Sequence, residues 1–330
     1  MEIFRTVLPE GNWDFKIPYP SRHFLIGSCF SEHMGAKLKR AKFTTNLNPF
    51  GILYHPLVIS RVISRLIDAK TYSEKELVFE DDRYISFDHH GVFNHSDLNV
   101  TLSSINNAFE EGIKSLKTAD YCYITWGSSF GYHLIDEDDR IVSNCHKIPS
   151  KRFIKEKSTV TEIVGQYQQL INRLLDFNPK IKIILSVSPV KHLREGLIDN
   201  NVSKAILLLA ANELESMFPS VYYFPSFELL QDDLRDYRFY AKDMAHPNEI
   251  AVDYIWNYFQ ENLFDKKTHL LYNRISAIAQ SLEHRPLHPE NESYQLFKMQ
   301  CLNKIDLLEK EFPFLDFKGE AERLEKRDAR

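Results

Sequence analysis

Four short stretches, residues 23–26, 121–126, 181–187 and 221–224, are apolar almost throughout. Runs of this length without strict polar alternation read as strands covered on both faces. Between them the period changes. Ile206, Leu209, Ala210, Leu214 and Met217 recur at three- and four-residue steps, and Ser203 is placed to cap that helix. Residues 102–116, 162–175 and 248–259 carry similar helical patterns, and a helix-like segment runs from Glu32 to about Lys42. Strands alternating with helices predict an α/β domain, with a mainly parallel sheet between two helical layers.

Two regions depart from this rhythm. Residues 81–99 are polar and histidine-rich, which reads as an irregular or hairpin insertion in the sheet domain. After Phe264 the character becomes helical only. Ile275, Ile278 and Leu282 suggest one helix ended before Pro286, and Tyr294, Phe297, Cys301, Ile305, Leu308 and Phe312 mark another. The expected organisation is a hydrolase-type domain over residues 1–265 and a helical C-terminal extension over 266–330. The extension is expected to pack on the main domain or on a partner chain, with a charged end that frays.

Composition narrows the class. Apolar residues make up 43% and charged residues 26%, ordinary for a globular protein with a core. The net charge of -5 gives no bias toward nucleic acid or anionic membrane. The first residues lack the basic and apolar regions of a secretory leader, and no stretch has the apolar length of a membrane span. The cysteines, at positions 29, 122, 145 and 301, form no paired metal or redox motif. These features lead to the expectation of a reduced, cytoplasmic protein without nucleic-acid or membrane partners and without a cofactor. They leave the oligomeric state open.

In open parallel sheets, ligands bind beyond the carboxyl ends of the strands, so chemistry is sought there. Ser28 follows the first strand within Gly27-Ser28-Cys29-Phe30, before a helix. That turn presents a hydroxyl at the sheet edge, and N–H groups at the helix start can hold an oxyanion. A helix-capping serine is the plainer reading of that turn. Asp243-Met244-Ala245-His246-Pro247 brings a carboxylate and an imidazole together in one short loop. Neutral imidazole can take a serine proton, and the carboxylate can fix its tautomer. Two further loops, residues 126–129 and 46–51, lie at the same edge and can supply oxyanion donors, although Asn, Pro and Gly are also ordinary turn residues.

Taken together these segments resemble the SGNH hydrolase superfamily, and more closely its GSCFA-domain branch. The resemblance runs through Gly27-Ser28-Cys29-Phe30-Ser31, Asn48-Pro49-Phe50-Gly51, Ser143-Asn144-Cys145-His146-Lys147, Ser186-Val187-Ser188-Pro189-Val190 and residues 222–228 and 233–247. It covers roughly residues 20–265. It implies a flavodoxin-like three-layer α/β/α sandwich, with Ser28 as nucleophile, His246 as base and Asp243 as the orienting acid. It also implies an oxyanion hole made from the serine N–H, a glycine and an asparagine. Gly51 is the candidate glycine, beside Asn48. The family's Gly-x-Asn-Asp block corresponds here to Gly127-Ser128-Ser129-Phe130, which has no asparagine. Ser128 or Asn144 are the candidate substitutes.

The expected activity is therefore that of a serine esterase forming an acyl-enzyme. Its expected substrate is a small polar ester, an O-acetylated carbohydrate being the favoured example, with His90, His146 and Gly127 near the substrate. Three other readings compete. Cys29 is the stronger intrinsic nucleophile but is expected to point into packing. Asp88, His89, His90, His95 and Asp97 could ligate a divalent metal in a metal-dependent hydrolase. A binding module that keeps the fold without activity would account for the missing asparagine. Residues 235–238 are expected to brace the Asp–His loop, and His192 to lie near the same edge.

Overall fold

The computed structural model describes residues 5–326 apart from 12, 136–139 and 284–290. In chain order the strands are β1 (Arg22–Gly27), β2 (Thr44–Leu47), β3 (Val78–Glu80), β4 (Arg83–Ile85), β5 (Tyr121–Trp126), β6 (Phe130–Leu134), β7 (Arg140–Val142), β8 (Phe153–Lys157), β9 (Lys182–Val187) and β10 (Val221–Tyr223). The α-helices are α1 (Cys29–Arg40), α2 (Pro56–Ile67), α3 (Leu98–Thr118), α4 (Val160–Phe177), α5 (Leu197–Met217), α6 (Ser226–Glu228), α7 (Glu249–Leu263), α8 (Lys266–Glu283), α9 (Glu292–Glu311) and α10 (Lys318–Lys326).

Five strands form the central sheet in the order β10-β9-β5-β1-β2, and every neighbouring pair is parallel. Side chains alternate across it. Phe24 and Ile26 of β1, with Cys122, Ile124 and Trp126 of β5, face a core shared with α2, α3, α4 and α5. Leu25, Tyr121, Tyr123 and Ile184 face the opposite way, onto a second core with α1 and α7. Both faces of the apolar runs are thus covered, which gives the expected three layers and explains the near-absence of polar alternation. The chain steps from β1 to β2 on one side and returns to β5 on the other. The switch point that opens a crevice in such sheets therefore lies at the end of β1, where Ser28 begins α1.

Two insertions flank that edge. One is the β3–β4 hairpin. The other, which the apolar pattern did not predict, is an antiparallel sheet in the order β7-β6-β8. Ile85, Phe87, Leu134, Val142 and Ile148 form a small core beneath both. The expected cap at Ser203 is corrected. Helix α5 starts at Leu197 with Gly196 as its N-cap, so Ser203 is buried well inside it. Leu197 and Ile198 are apolar but exposed, so the buried stripe marks only the later turns.

The C-terminal helices pack on the main domain. Leu271, Ile275, Ile278, Ile305, Leu308 and Phe317 form their own core. Tyr19 stacks on Phe43 at 4.1 Å and on Phe314 at 6.1 Å, joining the two units. Lys42 donates to the carbonyl of Asp316 and pairs with Glu320 at 2.6 Å. Pro286 and the last four residues of the expected fraying end lie outside the described residues. Among the described residues, no helix is long and apolar enough to cross a membrane.

Candidate active site

Ser28 is the N-cap of α1, with φ -66° and ψ 174°, and its Oγ accepts from the N–H of Phe30 at 3.3 Å. The residue is buried. The turn depends on Gly27, whose φ is +147° and where a Cβ would lie 2.3 Å from the carbonyl oxygen of Thr125. Gly27→Ala is expected to cost at least about 1–3 kcal/mol from the backbone conformation alone. Chemical denaturation of the purified variant would measure that loss.

The Asp243–His246 loop is folded by its own carboxylate. Oδ1 of Asp243 accepts from the N–H groups of Ala245 at 2.9 Å and His246 at 3.0 Å. Oδ2 pairs with Nδ1 of His246 at 2.6 Å. The backbone N–H of His246, then that of Ala245, then the imidazole hold the Asp243 carboxyl down to about 2. The carboxyl stays ionised, and with Nδ1 engaged by it, Nε2 is the ring nitrogen left for other partners. Asn248 caps α7 just beyond, through the N–H of Ala251 at 3.1 Å.

This loop meets the two other segments of interest. The N–H of Lys191, after β9, donates to the carbonyl of Ala245 at 3.1 Å. Burial first, then the nearby His246, lowers the pKa of His33 on α1. Burial, then Lys204 and His246, lowers that of His192 to about 3. The Lys191–Ala245 bond ties the loop to the segment after β9. The side chains of His246 and Asp243 are about half exposed, at 45% and 51%.

The sequence profile of the GSCFA family matches residues 22–259, and that of the GSCFA domain protein C-terminal domain matches residues 275–330. The chain belongs to the GSCFA family. No curated protein matches it. Among solved structures, a carbohydrate esterase family 3 protein from Talaromyces cellulolyticus is similar over 77% of this chain and 99% of its own, with 10% identity and a TM-score of 0.33. An acetyl xylan esterase from the rumen bacterium Butyrivibrio proteoclasticus is similar over 79% of this chain and 66% of its own, with 12% identity and a TM-score of 0.35.

The oxyanion donors expected of this GSCFA chain need correction. The N–H of Ser28 donates to the carbonyl of Thr125 at 3.1 Å, and that of Gly51 to the carbonyl of Asn48 at 2.7 Å. Ser28 is thereby pinned to β5 and Gly51 to its own turn, so both N–H groups are committed to the backbone. The N–H groups of Gly127 and Ser128 both donate to the carbonyl of Tyr54. Asn48 braces the turn, accepting from the N–H of Gly27 at 2.9 Å and donating to Glu32. Side chains remain as candidate donors. Oδ1 of Asn144 accepts from the N–H of His146. Its amide nitrogen lies 3.9 Å from where a Gly91 Cβ would stand, and Gly51 packs against His90. Asn144, His146, His90 and Gly51 thus share one loop cluster. The Ser128 hydroxyl accepts from the N–H of Phe130 at 3.1 Å and contacts Ser203.

The histidine-rich loop does not assemble a metal site. Among the described residues, no group of three possible ligands lies together. Asp88 pairs with Arg61 and Arg140, each at 2.7 Å, and accepts from the Tyr72 hydroxyl. Nδ1 of His89 bonds Ser86, while Nδ1 of His90 and of His95 accept local backbone N–H groups. Asp97 caps α3. Burial alone would raise the Asp88 pKa, but the two guanidinium groups hold the carboxyl well below the ordinary range. Stability from this clasp is present above the usual carboxylate pKa and is lost as pH falls through the lowered one. Asp88→Ala leaves two cations over a buried gap and is expected to cost about 3–5 kcal/mol in urea unfolding. Chelator is expected to leave that stability unchanged. Cys29 is also a poor nucleophile, since burial pushes its thiol up.

One buried polar residue escaped the sequence reading. Lys204, fully buried on α5, donates from Nζ to the carbonyls of Gly127 at 2.6 Å and Ser188 at 2.7 Å. The available signal was a lysine within the apolar stripe formed with Leu207, Ala210, Ala211 and Leu214. Its partners, on two distant loops, were not legible.

Proposed function

We propose that this GSCFA protein is a serine esterase, with Ser28 as nucleophile, His246 as general base and Asp243 as the orienting carboxylate. The observation that carries the reading is the 2.6 Å Asp243–His246 contact, on a loop tied to the segment after β9. In the first step Oγ of Ser28 bonds to the ester carbonyl carbon while its proton passes to Nε2. The tetrahedral intermediate collapses as Nε2 protonates the leaving alcohol. Water, deprotonated by the same nitrogen, then releases the acid and restores Ser28.

A cavity of about 500 Å³ has Lys191, Phe227, Gln231, Arg235, Tyr237 and Tyr240 in its wall; Lys191 bonds the Asp–His loop, but Ser28, Asp243 and His246 are not in that wall. Its mix of charged, amide and phenolic groups suits a small polar ester, an O-acetylated carbohydrate among them, better than a long acyl chain. The committed N–H groups of Ser28 and Gly51 favour a second reading, an inactive binding module on the same fold. Turnover of p-nitrophenyl acetate and of an O-acetylated sugar decides between them. Release of product from either, above the rate of a Ser28→Ala control, supports the esterase. No turnover, with tight binding of the intact sugar ester, supports the module.

A further inference from the structure

The SGNH-like block after β5 lacks its asparagine, and the expected backbone donors are in use. Something else must answer the negative charge that an ester carbonyl would gain beside Ser28. Lys204 is a buried charged residue at this edge. Its ammonium reaches the carbonyl of Gly127, inside the block where the asparagine is missing, and that of Ser188 beyond β9. The two bonds brace the ends of neighbouring strands, β5 and β9. They also use two of the three N–H donors of a lysine. Burial raises the Cys29 pKa and lowers that of His192; the ammonium opposes the first shift and adds to the second.

We infer that Lys204 is a positioning residue for the reaction proposed above. It clamps the loops after β5 and β9 with a buried positive charge, inside the block where the asparagine is missing. The inference rests on the esterase reading. A buried, fixed charge is effective here because the surroundings reorganise little and screen weakly. Burial lowers the Lys204 pKa to about 7, with Cys29 acting in the opposite direction. The charged and titratable groups around it are Cys29 on α1, His192 after β9, and Lys191, Asp232, Arg235 and Asp236 around the adjoining cavity. The two carbonyls that accept from Nζ oppose the loss of charge that burial favours.

Lys204→Met tests this in the full-length protein, with p-nitrophenyl acetate as substrate and a fluorophosphonate as active-site titrant. The expected result is a kcat per titrated site reduced about 10²-fold with KM little changed, the size that a small misplacement of reacting groups produces. A purely structural role would lower the titratable fraction and the Tm but leave kcat per site intact. A folded Lys204→Met protein with kcat within threefold of wild type overturns the inference and leaves the esterase reading standing. Wild-type protein that neither turns over nor labels removes that reading, and this inference with it. If Lys204→Met does not fold, Lys204→Gln, whose amide can still donate to a carbonyl, takes its place with the same outcomes.

Discussion

Ser28→Ala is expected to lower ester hydrolysis by at least about 10³-fold, because attack on the carbonyl needs the hydroxyl itself. The fold should survive. What the substitution removes structurally is a helix cap, a single 3.3 Å contact from the N–H of Phe30. Losing a cap costs about 0.5–2 kcal/mol, and a contact this long belongs at the lower end. The small cavity left by one oxygen adds little. Activity and stability are therefore expected to part company, with far-UV circular dichroism unchanged and kcat at background. Comparable loss of both would mean that Ser28 is a structural cap, its role in countless helices.

Asp243→Asn is expected to reduce kcat about 10³- to 10⁴-fold, the size of effect seen when a triad carboxylate becomes an amide. The replacement is chosen because the carboxylate has two jobs. Its Oδ1 holds the loop through the N–H groups of Ala245 and His246, and an asparagine carbonyl can do the same. Its Oδ2 accepts from Nδ1 of His246. An amide placed there donates instead, which turns the ring to the tautomer with its lone pair facing the wrong way. The loop stays and the base is lost. Because the wild-type carboxyl is held down to about 2, its own titration should leave no mark on the activity profile near neutral pH. A loss smaller than tenfold in Asp243→Asn would show that His246 is not the base.

The legible parts of this chain are those in which local pattern and tertiary demand agree. β1, β5, β9 and β10 fall where the apolar runs predict, since strands buried on both faces are mostly apolar, with only a few buried polar residues such as His23, Thr125 and Ser186. β2 is an edge strand of sequence Thr-Thr-Asn-Leu, partly exposed, and has no such signature. The β6–β8 sheet combines short strands with mixed burial, so neither period dominates. The start of α5 was misplaced for a related reason: its first turns put apolar side chains in solvent.

The site divides along the same line. The Asp–His pair is encoded within four consecutive residues, so its spacing in sequence is nearly its geometry. The oxyanion donors are not, because whether an N–H is free depends on which carbonyl the fold lays against it. Ser28, Gly51, Gly127 and Ser128 all sit at the expected edge, yet their N–H groups are bonded to Thr125, Asn48 and Tyr54. Lys204 shows the converse, since a residue that looks misplaced on its own helix is satisfied by carbonyls far away in the chain.

Covalent labelling of the folded protein with a fluorophosphonate, followed by peptide mapping, puts the most direct question to Ser28 and His246. One adduct per chain is predicted, on the hydroxyl at position 28, formed quickly in the native protein and not after unfolding or in a His246→Ala variant. An unlabelled serine 28 in protein that hydrolyses esters, or an adduct that forms as fast without the imidazole, would contradict the assignment.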